Sequence, residues 1–442
     1  MLGLTELVSR RFPWAGPNKQ QELVRLVYEI AKREKVSADS VLESIPQAMV
    51  SFEQLKHKLV IRRFPELAGA GIAVNTVFPA LDILPDCQVD LVRRESFSPE
   101  RIFIEESVSK SDLSAQVCRL FPQAQIRRIP SYKQFVQHTH FAAEAYNQRT
   151  KELFIVREAY DYYKPCPCSP GVLGCGYHNV NLGFGCPYEC SYCFLQSYTN
   201  APGIVLPANI DDFFTSFSGY RKAIRVGSGE TTDSLAFDHL TGFSGKIVDF
   251  FRSHPESVFE FKTKSANVQG LLAHTGQPNI VAAWSVNPQT VIDREEFLSA
   301  GLKQRLEAAA ACARSGYRTA FHFDPVFYYP GWEEEYADVV RSIALAVPSA
   351  SMAWISLGTL RMTFTQKKMI ENRFPCNTIL DAELLPGPDK KLRYHESVRL
   401  RIYRVMLSLI REKFGARVPV YLCMEPLAVW RSLEMPLEPI RW

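Results

Sequence analysis

The chain has 442 residues, of which 46% are hydrophobic and 22% charged; this is the balance of a globular protein that buries a sizeable core without covalent staples, and the length predicts a large core domain with at least one smaller unit. A formal net charge of +4 is mildly basic and compatible with a nucleic-acid partner without arguing for one. No apolar run approaches a membrane span and residues 1–11 lack the apolar core of a leader, so a cytoplasmic protein with no membrane partner is expected.

Residues 18–45 read as helix, with Leu23, Leu26, Val27 and Ile30 on one face and Glu22, Arg25, Glu29 and Arg33 on the other. A second helical stretch follows at 51–60, and residues 1–92 are expected to form a helical N-terminal appendage. Strand-like 101–105, helical 113–120, and strand-like 125–129 and 152–157 predict a small α/β unit over 93–165. A cysteine-rich loop occupies 166–180. From 181 to 426, apolar β-rich segments at 223–226, 258–261, 280–286, 317–323 and 353–357 alternate with helical ones, among them 302–314, 332–346 and 394–414. Such alternation predicts an α/β fold of parallel strands with helices packed outside, as an open or closed barrel. Chemistry in such barrels sits at the C-terminal ends of the strands. Residues 385–391, Leu-Pro-Gly-Pro-Asp-Lys-Lys, read as a loop, and 427–442 as a C-terminal tail.

Six of the eleven cysteines fall between Cys166 and Cys193. In a reducing compartment that clustering argues for metal ligation or catalysis rather than disulfides. Within Gly-Phe-Gly-Cys-Pro-Tyr-Glu-Cys-Ser-Tyr-Cys-Phe-Leu-Gln, Cys186, Cys190 and Cys193 are separated by three and then two residues. Three thiolates on one loop can occupy three irons of a [4Fe–4S] cube and leave the fourth iron open; structural zinc wants four ligands, usually as two separated pairs. Upstream, Cys166, Cys168 and Cys175 lie within ten residues among prolines and glycines. They suit a second iron–sulfur cluster, a zinc loop or plain reduced thiols. His178 is a further candidate ligand for that site, or a structural histidine. Cys423 is a candidate fourth ligand, or plain core. Cys87, Cys118, Cys312 and Cys376 have no partners in sequence and receive no function.

The cluster motif, with Tyr192 before its last cysteine, resembles that of the radical S-adenosylmethionine (SAM) enzymes, in which SAM binds the open iron and is cleaved by electron transfer to a 5′-deoxyadenosyl radical. Downstream, Glu-Thr-Thr-Asp-Ser-Leu-Ala-Phe-Asp-His-Leu-Thr at 230–241, Phe-Lys-Thr-Lys at 261–264, Trp-Ser-Val-Asn at 284–287 and Gly-Trp-Glu-Glu-Glu-Tyr at 331–336 resemble the spore photoproduct lyase family in the same order. With the cluster motif they cover most of residues 95–425.

The resemblance implies a partial (β/α)6-type radical SAM barrel, which joins the small N-terminal α/β unit and the helical N-terminal appendage read from the periodicity above. It implies a [4Fe–4S] cluster and SAM as cofactors, an electron donor such as flavodoxin or ferredoxin, and a pyrimidine photolesion in DNA as substrate. Carried over residue by residue, it sets Thr232 and Asp233 near the SAM ribose and Lys264 and Ser285 near its carboxylate; the plain alternative for Asp233 and Lys264 is surface charge. Gly-Ser-Gly-Glu at 227–230 resembles the Gly-Gly-Glu element that holds the methionyl ammonium, making Glu230 a cofactor ligand. Two positions depart from the family. Glu230 stands where it has a hydrogen-donating cysteine, and Phe194 where it has a tyrosine that relays the radical, whereas Tyr192 is retained as a candidate catalytic residue. A phenyl ring has no phenolic hydrogen to give, and Cys423 becomes a candidate replacement donor.

Arg361, Lys367, Lys368 and Arg373 fit phosphate contacts to DNA, or simply a solvated helix; Lys390, Lys391 and Arg393 form a smaller basic cluster. Two other functions stay open from sequence. One is radical SAM chemistry on RNA, a peptide or a small molecule, supported by an auxiliary cluster; the other is non-catalytic, metal-dependent DNA binding.

Overall fold

The computed structural model describes the chain apart from residues 1, 47–50, 75–76, 85–86, 90–96, 138–142, 159–163, 199–200, 220–222 and 438–442. The chain divides into two compact units, 1–88 with 362–396, and 89–361 with 397–442. The appendage boundary expected at residue 92 lies outside the described residues.

In the first unit the helical stretch expected over 18–45 is two helices, Pro17–Glu34 and Ala38–Glu43. Lys35 takes a left-handed φ of 57° that ends the first, and the Ser37 hydroxyl accepts the Ser40 N–H to start the second. Leu23, Leu26, Val27 and Ile30 are fully buried, as their spacing requires. The opposite face is not left to solvent. Arg25 and Glu29 are buried, Arg25 pairing with Glu371 at 2.6 Å, and Glu29 with Arg63 at 2.8 Å and Lys367 at 2.7 Å. These pairs explain why residues 362–396, expected within the barrel, associate with the N-terminal helices instead. The loop expected at 385–391 is flanked by antiparallel strands, Leu384–Pro386 and Leu392–Tyr394, that close it into a hairpin.

Among the described residues the second unit contains two main sheets and a two-stranded ribbon. Its strands are β1 (Arg101–Glu105), β2 (Gln125–Ile129), β3 (Glu152–Val156), β4 (Lys164–Pro165), β5 (Tyr177–Asn179), β6 (Glu189–Cys190), β7 (Ile204–Pro207), β8 (Arg225–Gly227), β9 (Val258–Thr263), β10 (Ile280–Ser285), β11 (Glu296–Phe297), β12 (Arg318–Val326) and β13 (Met352–Thr359), with a last barrel strand at Val420–Leu422. The small sheet is parallel in the order β2-β1-β3-β7. Its fourth strand comes from beyond the cysteine loop, so the small α/β unit is not confined to 93–165.

The large sheet runs from the last strand through β13, β12, β10, β9, β8 and β5 to β4, with every neighbour parallel except β4 against β5. Helices Leu302–Arg314 and Trp332–Ala346 pack outside it on their apolar stripes, over the predicted residues. The sheet curls into a half-barrel. Arg225 of β8 reaches across its concave face to the Tyr421 hydroxyl at 3.0 Å, and a bridge between Val172 and Pro426 links the two edges. Among the described residues no helix is long and apolar enough to cross a membrane.

Candidate functional site

The loop carrying Cys186, Cys190 and Cys193 leaves the C-terminal end of β5 and is fastened on three sides. Gly185 turns at φ +88°, a conformation that strains an L side chain, and an added Cβ would lie 3.0 Å from Ile204 Cδ1. Its N–H donates to the Thr231 carbonyl, while Phe184 pairs with Val205 of β7. Cys190 pairs with Glu296 in the β6–β11 ribbon, and the Ser191 N–H donates to the Glu295 carbonyl. The third fastening is Arg149, whose side chain is 1% exposed. Its guanidinium donates to the carbonyls of Cys186 at 3.0 Å and Tyr188 at 2.7 Å and to the Glu189 carboxylate at 2.6 Å. Burial, then Asp233 and Cys193, push the Cys186 thiol up to about 12, and burial pushes Cys190 well above the ordinary thiol range.

Alternation along the strands sorts the barrel interior into tiers, and β9 shows it most clearly. Glu260 is fully buried, accepting from Arg225 at 2.7 Å and hydrogen-bonded to His322 Nε2 at 2.6 Å, with His322 Nδ1 on Ser356 at 2.7 Å. Two residues on, Lys262 lies within electrostatic reach of Glu230, Asp324 and Cys423. Two further, Lys264 lies over the Tyr192 ring at 5.6 Å and near Glu296, Cys190 and Cys193. Burial would lower the Lys264 value, but Glu296 and the two thiols hold it raised, so it remains an ammonium. Among the described residues neither lysine's ammonium makes a hydrogen bond. Gly227 and Gly358 keep the interior open: a Cβ on the first would meet the Tyr177 hydroxyl at 2.4 Å, and on the second an Asp324 oxygen at 2.3 Å.

The residues singled out in the sequence fall into two groups. Around the cluster loop, Thr232 is buried with its hydroxyl lacking a partner, and both amide atoms of buried Asn179 are likewise unpartnered. Asp233 is engaged in the chain itself, accepting the N–H groups of Leu235, Ala236 and Lys264 and the Thr263 hydroxyl. Ser285 ends β10 and gives its carbonyl to Arg305. Glu230 is half-buried, and desolvation raises its carboxyl against the pull of Lys262. Tyr192 donates to Glu296, which also accepts from Asn287 at 2.8 Å and Arg305 at 2.6 Å. Phe194 is 42% exposed.

Farther along the interior, Cys423 accepts from Arg361 at 3.5 Å, and Arg361 pairs with Asp324 at 2.9 Å. Cys166, Cys168 and Cys175 line the β4–β5 connection, while the His178 ring bonds locally to the Gly176 carbonyl. Several charges of the basic segment are engaged within the chain. Lys367 pairs with Glu29, Arg361 with Asp324, Lys368 with Asp82, and Arg373 is buried. In the smaller cluster Arg393 pairs with Asp389. The Lys368 side chain stays about half exposed.

Sequence reasoning overlooked Arg149, Glu296 and Arg305, which orient the loop, and the Arg225–Glu260–His322 network beneath it. Only the network leaves a trace in sequence. Phe-Glu-Phe at 259–261 and Phe-His-Phe at 321–323 set a polar residue in the middle of a buried strand, a placement that requires a partner inside.

The spore photoproduct lyase family model matches residues 97–395. A spore photoproduct lyase of Geobacillus sp. (strain Y412MC61) is 29% identical over 214 residues, 46% of this chain and 62% of that protein. That of Bacillus subtilis (strain 168) is 28% identical over 206 residues, 44% and 60% of the two chains. The chain thus spans about three fifths of the relatives it matches. A spore photoproduct lyase complexed with dinucleoside spore photoproduct superposes with a TM-score of 0.65 at 22% identity, over 74% of this chain and 100% of that one. A doubly substituted spore photoproduct lyase with bound AdoMet and the same dinucleoside gives 0.63 at 22% identity, over 74% and 99%. These structures share the curled half-barrel. Matched along residues 97–395, the chain belongs to the spore photoproduct lyase family.

Proposed function

We propose that the chain is a radical SAM enzyme that acts on a pyrimidine photolesion in DNA, with Cys186, Cys190 and Cys193 as the ligands of a [4Fe–4S] cluster. The observation that carries this reading is a three-thiol loop rigidly held at the C-terminal mouth of a parallel half-barrel, facing polar groups that lack partners. Thr232 Oγ1, the Asn179 amide and the Lys264 ammonium offer the hydroxyl, amide and cationic contacts that a zwitterionic, ribose-bearing cofactor needs. When bound, the cluster and SAM supply a one-electron reduction and a hydrogen-abstracting radical.

The protein's own part is positional. With SAM bound, Lys264 and Ser285 would meet its carboxylate, Glu230 its ammonium and Thr232 its ribose. Asp233, its carboxylate already filled by four hydrogen bonds, shapes the 233–236 turn and the end of β9. Tyr192 is oriented by Glu296 and Arg305 beside the loop, and the apolar barrel wall excludes water. An electron donor of the flavodoxin or ferredoxin type completes the system. The lesion substrate is supported by relatives that bind dinucleoside spore photoproduct.

The reading is tested on the anaerobically reconstituted, reduced chain by chromatography of 5′-deoxyadenosine, then of thymine products from dinucleoside spore photoproduct. Both should form, and alanine at any of the three cysteines should abolish both. Absence of SAM cleavage removes the radical reading. SAM cleavage without lesion conversion removes the lesion alone.

A further inference from the structure

The connection between β4 and β5 brings three cysteines to the seam where the edges of the large sheet meet. The Cys166 N–H donates to the Tyr177 carbonyl at 2.8 Å and the Cys168 N–H to the Cys166 carbonyl at 2.7 Å, making a tight turn. Beyond it the chain is pinned to the residues after the last barrel strand. The Ser169 N–H meets Met424 Sδ at 3.4 Å, Val172 bridges Pro426, and the Leu173 N–H donates to the Glu425 carbonyl at 3.2 Å. Cys423, distant in sequence, is thereby carried to the loop. The Cys166 thiol is hydrogen-bonded to that of Cys168 and lies within electrostatic reach of Cys175 and Cys423, and Cys423 is within reach of Cys175. Two separate segments together supply four thiols, a complete ligand set that neither holds alone.

A second observation concerns the wall behind these sulfurs. Arg225 directs Nε and Nη2 at Glu260, and Nη2 also at Tyr421, but its Nη1 is buried without a hydrogen-bond partner and the guanidinium lies within electrostatic reach of Cys175. A buried donor without an acceptor is costly, and an anionic sulfur cluster would give that donor an acceptor. Among the described residues no three Cys, His, Asp or Glu side chains converge as ligands of a single metal ion. Four thiols drawn from two segments, beside a buried guanidinium donor, match in number the four corners of a [4Fe–4S] cluster.

We propose that Cys166, Cys168, Cys175 and Cys423 hold a second cluster of the [4Fe–4S] class at this seam, with Arg225 as its hydrogen-bonding counter-charge. The four thiols release their protons as the sulfurs bind iron. The proposal is independent of the lesion reading and of the first cluster. Its test is iron and sulfide counting on the full-length chain after anaerobic reconstitution, with electron paramagnetic resonance of the reduced protein. The wild type should hold about eight irons per chain, and Cys186→Ala/Cys190→Ala/Cys193→Ala about four, with a [4Fe–4S] signal remaining. Cys166→Ala/Cys168→Ala/Cys175→Ala/Cys423→Ala should also hold about four, and its signal should account for the rest of the wild-type spectrum. An iron-free first variant, an undiminished iron count in the second, or stoichiometric zinc that excludes iron from the seam would each overturn the proposal. The first variant leaves the seam intact, so the test stands even where the fourfold variant fails to fold.

Discussion

Replacing Arg149 by Met isolates the guanidinium that fastens the cluster loop. Methionine fills much of the space but removes the donors to Cys186 and Tyr188 and the cation beside the buried Glu189 carboxylate. Separating a buried ion pair by removing one partner costs about 3–5 kcal/mol, and each of the two loop carbonyls deprived of its donor adds about 1 kcal/mol. We expect a loss of about 5–7 kcal/mol in equilibrium urea denaturation, followed through Trp284 and Trp354, both fully buried in barrel strands. Iron bound after reconstitution should fall with it, because the loop that carries the three thiols is no longer held. Adding Glu189→Gln should recover about half of the lost stability, since the unpaired charge is then gone. A loss below about 1 kcal/mol with full iron content would refute this account of how the loop is held.

Acid should act on the network beneath the site. Burial and then Lys262 hold His322 at about 4 against an unfolded value of 6.5, so as pH falls from 6.5 to 4 the unfolded chain takes up a proton that the barrel does not. Stability should drop by about 3 kcal/mol across that window, and His322→Gln should flatten the slope in pH-resolved denaturation. Glu260, burial notwithstanding, is held at about 2 by Arg225 and His322, so its contribution is complete above pH 4.5 and lost as pH falls toward 2. Gly185→Ala forces a Cβ into a left-handed turn against Ile204 and should cost about 1–2 kcal/mol, read as a lower melting temperature. Lys264→Met should raise the KM for SAM about ten- to a hundredfold, the worth of one charge-assisted hydrogen bond. An unchanged KM would remove Lys264 from the cofactor site.

The barrel is legible in the sequence because its strands and helices carry their own periodicity. Helices 302–314 and 332–346 appear over the predicted residues, since Leu306, Ala309 and Cys312 in one, and Tyr336, Val339 and Ile343 in the other, mark a continuous buried stripe. The three-thiol loop stands out in the sequence because thiols at such tight spacing point to metal ligation. What cannot be read is partnership between distant segments. Arg25 and Glu371 look like surface charges on two separate helices until the fold pairs them, which is why 362–396 reads as part of the barrel from sequence. Arg149 has no local signature at all, lying in a polar stretch whose one distinguishing property is the loop it meets. Cys423 offers a choice of roles that only its position beside the β4–β5 connection narrows.

The alternation of β9 makes that strand a ruler. Successive inward positions on extended chain stand about 7 Å apart, so Glu260 and Lys262 mark two stations along β9 at a fixed interval, and Lys264 follows just past its end at the thiol loop. A molecule reaching from the thiol loop toward Cys423 is gauged against the two lysines in turn. Substitution can retune one station at a time, whereas insertion or deletion of a single residue between them would turn at least one outward and lose the gauge.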